Sequence, residues 1–239
     1  FLFYNTLISF KTKLFFRGRL MRFLLVLDPL EKLNLKWDTS LAILRELHRR
    51  GHRCFAADAP DFWAEGKKIW VRAAEVVPKF AGNSCRYISS PERPCGVNRF
   101  HLILIRKDPP FDAAYLHLTY VLELAARQIP VINHPRGIRD TNEKLSILEF
   151  PRWTPETLVA SRPAQILEFQ KKIKGDLVIK PLDQKGGEGV FLLKRKDSGK
   201  QSKLGKASLK GRKLLIAQRF LRNTFSPGEK RILLLDGKF

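Results

Sequence analysis

Residues 22–28, RFLLVLD, form an unbroken apolar run that closes on Asp28-Pro29, and few folds accommodate what surrounds it. A continuous run of this kind suits a strand buried on both faces of a parallel sheet. Thr39 or Ser40 can cap a helix running to about His48, with Leu41, Leu44 and Leu47 along one face. Gly51 is a natural stop, and residues 53–57, RCFAA, read as a second strand. Strand, helix, strand implies a parallel pair with a right-handed crossover. No G-x-G-x-x-G follows the first strand, so a dinucleotide fold is not supported.

Residues 58–100 look irregular, with short strands near 68–71 and 72–77 and a loop around 89–96 stiffened by Pro91 and Pro94. His101 to Ile105 is another apolar strand, and it runs into RKDPPFD at 106–112. Polar residues at the carboxyl end of a parallel strand are where ligands usually sit; an ordinary proline-stiffened loop is the alternative. A helix over 116–127 and a short strand over 130–133 follow. Thr141 or Asn142 can then cap a further helix, placing Lys144 in its first turn, against the favoured charge order. Either a bound anion or simple solvation accounts for a cation there.

The stretch 176–193, DLVIKPLDQKGGEGVFLL, has the pattern of a hairpin. Leu177-Val178-Ile179 ends in Lys180-Pro181, and Gly186, Gly187 and Gly189 lie in the connection to Val190–Leu193. Glycines at the tip let backbone N–H groups approach an anion, and Lys180 adds a positive charge. No Gly-Lys-Ser/Thr follows, so this is not a Walker A loop; it is either a phosphate cover or a structural hairpin.

The formal charge is +22, and nine Lys or Arg lie in 194–213 alone. That segment has no aromatic residue to stack on a base, and its Gly and Ser content reads as a solvated loop rather than a nucleic-acid site. At 44% hydrophobic and 28% charged, the composition is globular, not disordered. No apolar run approaches the roughly 20 residues of a membrane span. Cys54, Cys85 and Cys95 are widely spaced and form no C-x-x-C pair, which indicates neither zinc nor a disulfide framework and suits a reducing cytoplasm. Residues 1–20 carry four basic residues and no acidic one ahead of the only methionine, Met21. They read as an upstream or non-native extension; a targeting peptide is the other reading.

These blocks together resemble the prokaryotic glutathione synthetases, ATP-grasp ligases. The residues that carry the likeness are Asp28-Pro29, RKDPPFD at 106–112, RDTNEKL at 139–145, TPETLV at 154–159, IKPLDQKGG at 179–187, AQ at 217–218 and EKR at 229–231. The resemblance implies an α/β chain: a parallel-sheet, Rossmann-like pre-ATP-grasp substrate domain at 21–140, then an incomplete ATP-grasp domain. That domain would have its small lobe at 141–220 and the start of the large lobe at 221–239. It implies ATP-dependent joining of glycine to γ-glutamylcysteine through an acyl phosphate, in a cytoplasmic enzyme that tends to form tetramers. Lys144 and Lys180 would meet ATP, Gly186, Gly187 and Gly189 would cover its phosphates, Gln218 would read the adenine edge, and Glu229 the ribose. Arg231 would be catalytic, near the transferring phosphate, and Asp28, Arg106 and Asp108 would bind substrate. Mg2+ (or Mn2+) is the implied metal, with its ligands expected beyond Phe239, so this chain alone is expected to be inactive. Another ATP-grasp amine or peptide ligase, or a non-catalytic basic remnant that binds polyanions, are the rival readings; RKDPPFD argues against the former.

Overall fold

The computed structural model describes residues 19–34, 38–81, 84–184 and 186–221, with 232, 234, 237 and 238. Most of the expected upstream extension therefore lies outside the described residues. The chain divides into two compact units, one up to Asn142 and one from Glu143.

In the first unit, β1 (Arg22–Val26) leads through α1 (Thr39–Arg49) to β2 (Arg53–Ala57), and the two strands pair in parallel. The helix cap is Asp38, not Thr39 or Ser40: its carboxylate accepts from the backbone N–H of Ser40 at 2.6 Å and of Leu41 at 3.3 Å. A carboxylate also complements the positive helix end, which a hydroxyl does less well.

The stretch expected to be irregular is largely sheet. It holds β3 (Phe62–Glu65), β4 (Lys68–Ala81), β5 (Ser84–Ser89) and β6 (Arg93–Gly96). The two short strands expected at 68–77 are one strand of 14 residues. It pairs antiparallel with β2, β3, β5 and β6, so the sheet is mixed rather than purely parallel. Pro94, which suggested a loop, stands in β6, a strand paired only with β4, where a missing N–H can be tolerated.

Then come β7 (Leu102–Ile105), α2 (Ala113–Ala126, capped by Asp112), β8 (Val131–Ile132) and the short α3 (Pro135–Asp140). The main strand order is β3-β4-β2-β1-β7-β8, with β1, β2, β7 and β8 forming its parallel part. Alternation along β1 explains the continuous apolar run. Leu24 and Val26 pack with Leu118 and Leu122 of α2, whereas Leu25 packs with Leu41 and Leu44 of α1. No helix starts at Thr141 or Asn142; Thr141 instead closes α3, so Lys144 is not in a helix first turn.

The second unit is an antiparallel sheet in the order β11-β10-β12-β9. Its strands are β9 (Thr157–Ala160), β10 (Leu177–Pro181), β11 (Phe191–Leu193) and β12 (Leu215–Arg219). The expected hairpin is β10–β11. One face packs on α4 (Pro163–Ile173) and α5 (Lys200–Ala207): Ile166 and Leu204 meet Leu177, Ile179, Leu193, Leu215 and Ala217, all essentially inaccessible. The segment 194–213 is thus not a solvated loop. Leu204, with Ala207 beside it, docks a basic helix on the core while Lys203 and Lys206 face water. No helix among the described residues is long and apolar enough to cross a membrane.

Candidate active site

Parallel strands deliver their carboxyl ends to one edge of the first unit. Asp28 follows β1, Asp58 follows β2, and Arg106-Lys107-Asp108 follow β7. Lys107 Nζ bridges the first two, at 2.6 Å from Asp28 Oδ1 and 2.8 Å from Asp58 Oδ1. The Asp108 backbone N–H donates to the other oxygen of Asp28 at 3.2 Å. Burial opposes the charge on Lys107, but its hydrogen bonds to both carboxylates outweigh that and hold its pKa above the ordinary lysine value. The Tyr115 hydroxyl donates to the Lys107 carbonyl at 3.0 Å, and burial pushes that phenol up to about 12. Arg106 reaches the other way, to the hydroxyls of Ser40 (3.3 Å) and Thr39 (2.5 Å) on α1.

Asp28, Arg106 and Asp108 therefore share one edge, but two of its charged members were not singled out from the sequence, Lys107 and Asp58. Asp58 had a signal: RCFAAD ends as RFLLVLD does, in an aspartate after an apolar strand.

In the second unit, Lys180 and Gln218 project from the sheet face opposite the helices, since the alternate residues Ile179 and Ala217 face the core. Lys180 Nζ donates to Gln218 Oε1 at 2.7 Å, Gln218 Nε2 donates to Thr157 Oγ1 at 2.9 Å, and Thr157 Oγ1 donates to the Pro155 carbonyl at 2.7 Å. This chain crosses three strands and fixes the orientation of the Gln218 amide, which is 7% exposed. Burial, and then the charge of Lys144, lower the Lys180 pKa. Lys144 Nζ itself donates to the Gln184 carbonyl at 2.5 Å and to Glu143 at 2.7 Å, tying it to the hairpin connection.

Beyond Gln184, Gly187 and Gly189 hold φ of +83° and +69°, a region that disfavours side chains. At Gly189 a Cβ would also stand 2.8 Å from Pro181 Cγ, so this glycine lets the loop fold back on the end of β10. Gly186 also has positive φ and faces open space. Glu229 and Arg231 lie outside the described residues.

Comparison with known proteins decides what kind of chain this is. Residues 21–139 match the prokaryotic glutathione synthetase N-terminal domain, and residues 143–239 match the prokaryotic glutathione synthetase ATP-grasp domain. The chain is 38% identical over 221 residues to a glutathione synthetase of Nitrosomonas europaea, covering 91% of this chain and 68% of that protein. It belongs to the prokaryotic glutathione synthetase family. A member from Parasynechococcus marenigrum is 37% identical over 218 residues, with 91% and 69% covered.

Solved ATP-grasp structures share the fold. D-cycloserine synthetase DcsG aligns with a TM-score of 0.55 at 15% identity, over 86% of this chain and 62% of that one. A RimK domain ATP-grasp protein from Sphaerobacter thermophilus aligns at 0.51 and 18% identity, over 84% and 64%. The chain thus spans about two thirds of its family relatives and somewhat less of these structures. ATP-grasp glutathione synthetases are ATP-dependent, ADP-forming ligases.

Among the described residues no group of three His, Cys, Asp or Glu could hold a metal ion. Burial pushes the Cys54 thiol up to about 12 and raises that of Cys95, so both are protonated at neutral pH.

Proposed function

We propose that this chain supplies the dipeptide-binding and ATP-binding parts of a glutathione synthetase. In that reaction a carboxylate oxygen of the γ-glutamylcysteine cysteinyl group attacks the γ-phosphorus of ATP, and ADP leaves. The glycine amine then attacks the acyl phosphate carbonyl, forms the amide and releases phosphate. Most of the protein's part in phosphoryl transfer is positioning and charge neutralisation.

The observation that carries the reading is Lys180. Its charge is disfavoured by burial and by Lys144, and its hydrogen-bond partner, Gln218, is neutral. A phosphate in contact with both ammonium groups would relieve the two penalties at once. Gln218, held by Lys180 and Thr157, presents a fixed amide for the adenine edge, while N–H groups of the glycine loop face the phosphates. Glu229 and Arg231 take the ribose and the transferring phosphate by their match to the family. Asp28, Arg106 and Asp108 bind the dipeptide, with Lys107 holding the Asp28 carboxylate in place.

The test is calorimetry of ATP binding to the 239-residue chain in two buffers of different ionisation enthalpy, with γ-glutamylcysteine binding measured beside it. ATP should bind with proton uptake near the depressed Lys180 pKa, because the anion restores that proton. The dipeptide should bind, and γ-glutamylalanine more weakly. ATP binding with no affinity for the dipeptide would move the chain to another ATP-grasp ligase. Binding of neither would overturn the reading.

A further inference from the structure

We propose a second anion site at the opposite end of β10 from Lys180 and the glycine loop, built to take a small molecule bearing two or three linked phosphates. A cavity of about 570 Å³ opens there, lined by Lys174, Lys194, Arg195, Lys196 and Arg219 against a single carboxylate, Asp176. Register puts Leu177, Leu193 and Arg219 side by side at this edge, four residues along β10 from Pro181. That is about 13 Å at the usual strand rise.

Ordinary structural needs account for Arg219 and Lys174 but leave the side chains of Lys194, Arg195 and Lys196 without an ion pair among the described residues. Arg219 is paired with Glu156 through two hydrogen bonds of 2.6 Å. The side chains of Lys174, Lys194, Arg195 and Lys196 make no ion pair or hydrogen bond among the described residues. Lys174 follows the C-terminus of α4, where the helix dipole welcomes a cation. The run 194–196 is different. It lies just ahead of α5, whose first turn has no acidic residue and whose start has no side-chain cap. Asp197 lies between the run and the helix, accepting from the Lys194 N–H at 3.2 Å and from Lys203 Nζ at 3.4 Å; the three cations of the run outnumber it, and a bound anion is favoured there.

The platform under the cations is also fixed in advance. Gln170, 2% exposed, donates to the Leu193 carbonyl at 2.7 Å and accepts from Lys200 at 2.9 Å. Lys200 also donates to the Arg195 carbonyl at 2.9 Å, and the Arg195 N–H donates to Asp176 at 2.7 Å. Leu193, just ahead of the basic run, and the backbone of Arg195 within it are thus held by side chains from α4, α5 and the approach to β10. Preorganisation of this kind lowers the ordering cost of binding. The cavity size suits a compact ligand rather than a duplex, and charge-assisted hydrogen bonds to phosphate oxygens need the several donors gathered here.

The experiment uses inorganic tripolyphosphate as probe, titrated by calorimetry into the full chain carrying Lys180→Ala, so that the nucleotide site is weakened. Tripolyphosphate should still bind. Adding Lys194→Ala, Arg195→Ala and Lys196→Ala should weaken it by about tenfold or more, since three charged donors are lost. These side chains are exposed, so the triple variant should keep its melting temperature. On an otherwise unchanged chain it should alter ATP affinity by no more than about twofold, as expected for separated sites. No tripolyphosphate binding in the Lys180→Ala chain, or binding that ignores the triple substitution, overturns the site. So does a short DNA duplex that binds more tightly than tripolyphosphate and loses that binding in the triple variant, because the patch is then an open nucleic-acid surface.

Discussion

Replacing Lys180 with methionine should separate ligand binding from stability. The substitution keeps an unbranched stem on β10 and removes the ammonium. A charged hydrogen bond is worth about 1.5–3 kcal/mol, so ATP affinity should fall roughly 10- to 150-fold. Folding should respond quite differently. The variant leaves the buried Gln218 Oε1 without its 2.7 Å donor, which costs about 1–3 kcal/mol. It also removes a charge that burial and Lys144 disfavour. The two effects oppose each other, and the net change should stay within about 1 kcal/mol.

The same group sets a pH signature. The folded pKa of Lys180 lies below its unfolded value of 10.5, so between those two values the unfolded chain binds more protons. Wild-type stability should therefore gain from Lys180 as pH rises through the folded pKa toward 10.5, and Lys180→Met should lack that gain. ATP titration and urea denaturation across this range measure both. Undiminished ATP affinity, with a stability loss above about 3 kcal/mol, would show that Lys180 is a strut between β10 and β12 rather than a phosphate ligand.

Lys107→Met strands Asp28 and Asp58 at the edge of the first sheet and should cost about 2 kcal/mol, less than a fully buried pair because the site is partly wet; urea denaturation checks it. Lys107 has its folded pKa raised above 10.5, so its contribution is full below that value and is lost as pH climbs through the folded pKa, the reverse of Lys180. Leu204→Ala, in the helix that the basic segment forms, should cost about 2–5 kcal/mol; a surface-like change in denaturation midpoint would mean that α5 does not pack. Gly189→Ala should lower the melting temperature more than Gly187→Ala, because both have positive φ but only the former drives a Cβ into Pro181.

Local pattern was enough wherever burial repeats along the chain. The apolar run at 22–26, the helix after it and the β10–β11 hairpin are legible because alternation and turn chemistry act within a few residues. The motif order from Asp28-Pro29 to RKDPPFD and IKPLDQKGG pointed to the family for the same reason: each block is contiguous. Tertiary structure decided the rest. The lysine-rich stretch from 200 to 207 is helical because Leu204 finds a core formed by β10, β11 and β12, and no composition rule contains that partner. The long β4 exists because β2, β3, β5 and β6 all pair with it, despite Pro78 and the charges along it. Lys107 joins carboxylates 79 and 49 positions away, and Lys180 meets Gln218 across 38. Such pairings depend on strand order and register, which follow from the free energy of the whole packed sheet rather than from any window of sequence.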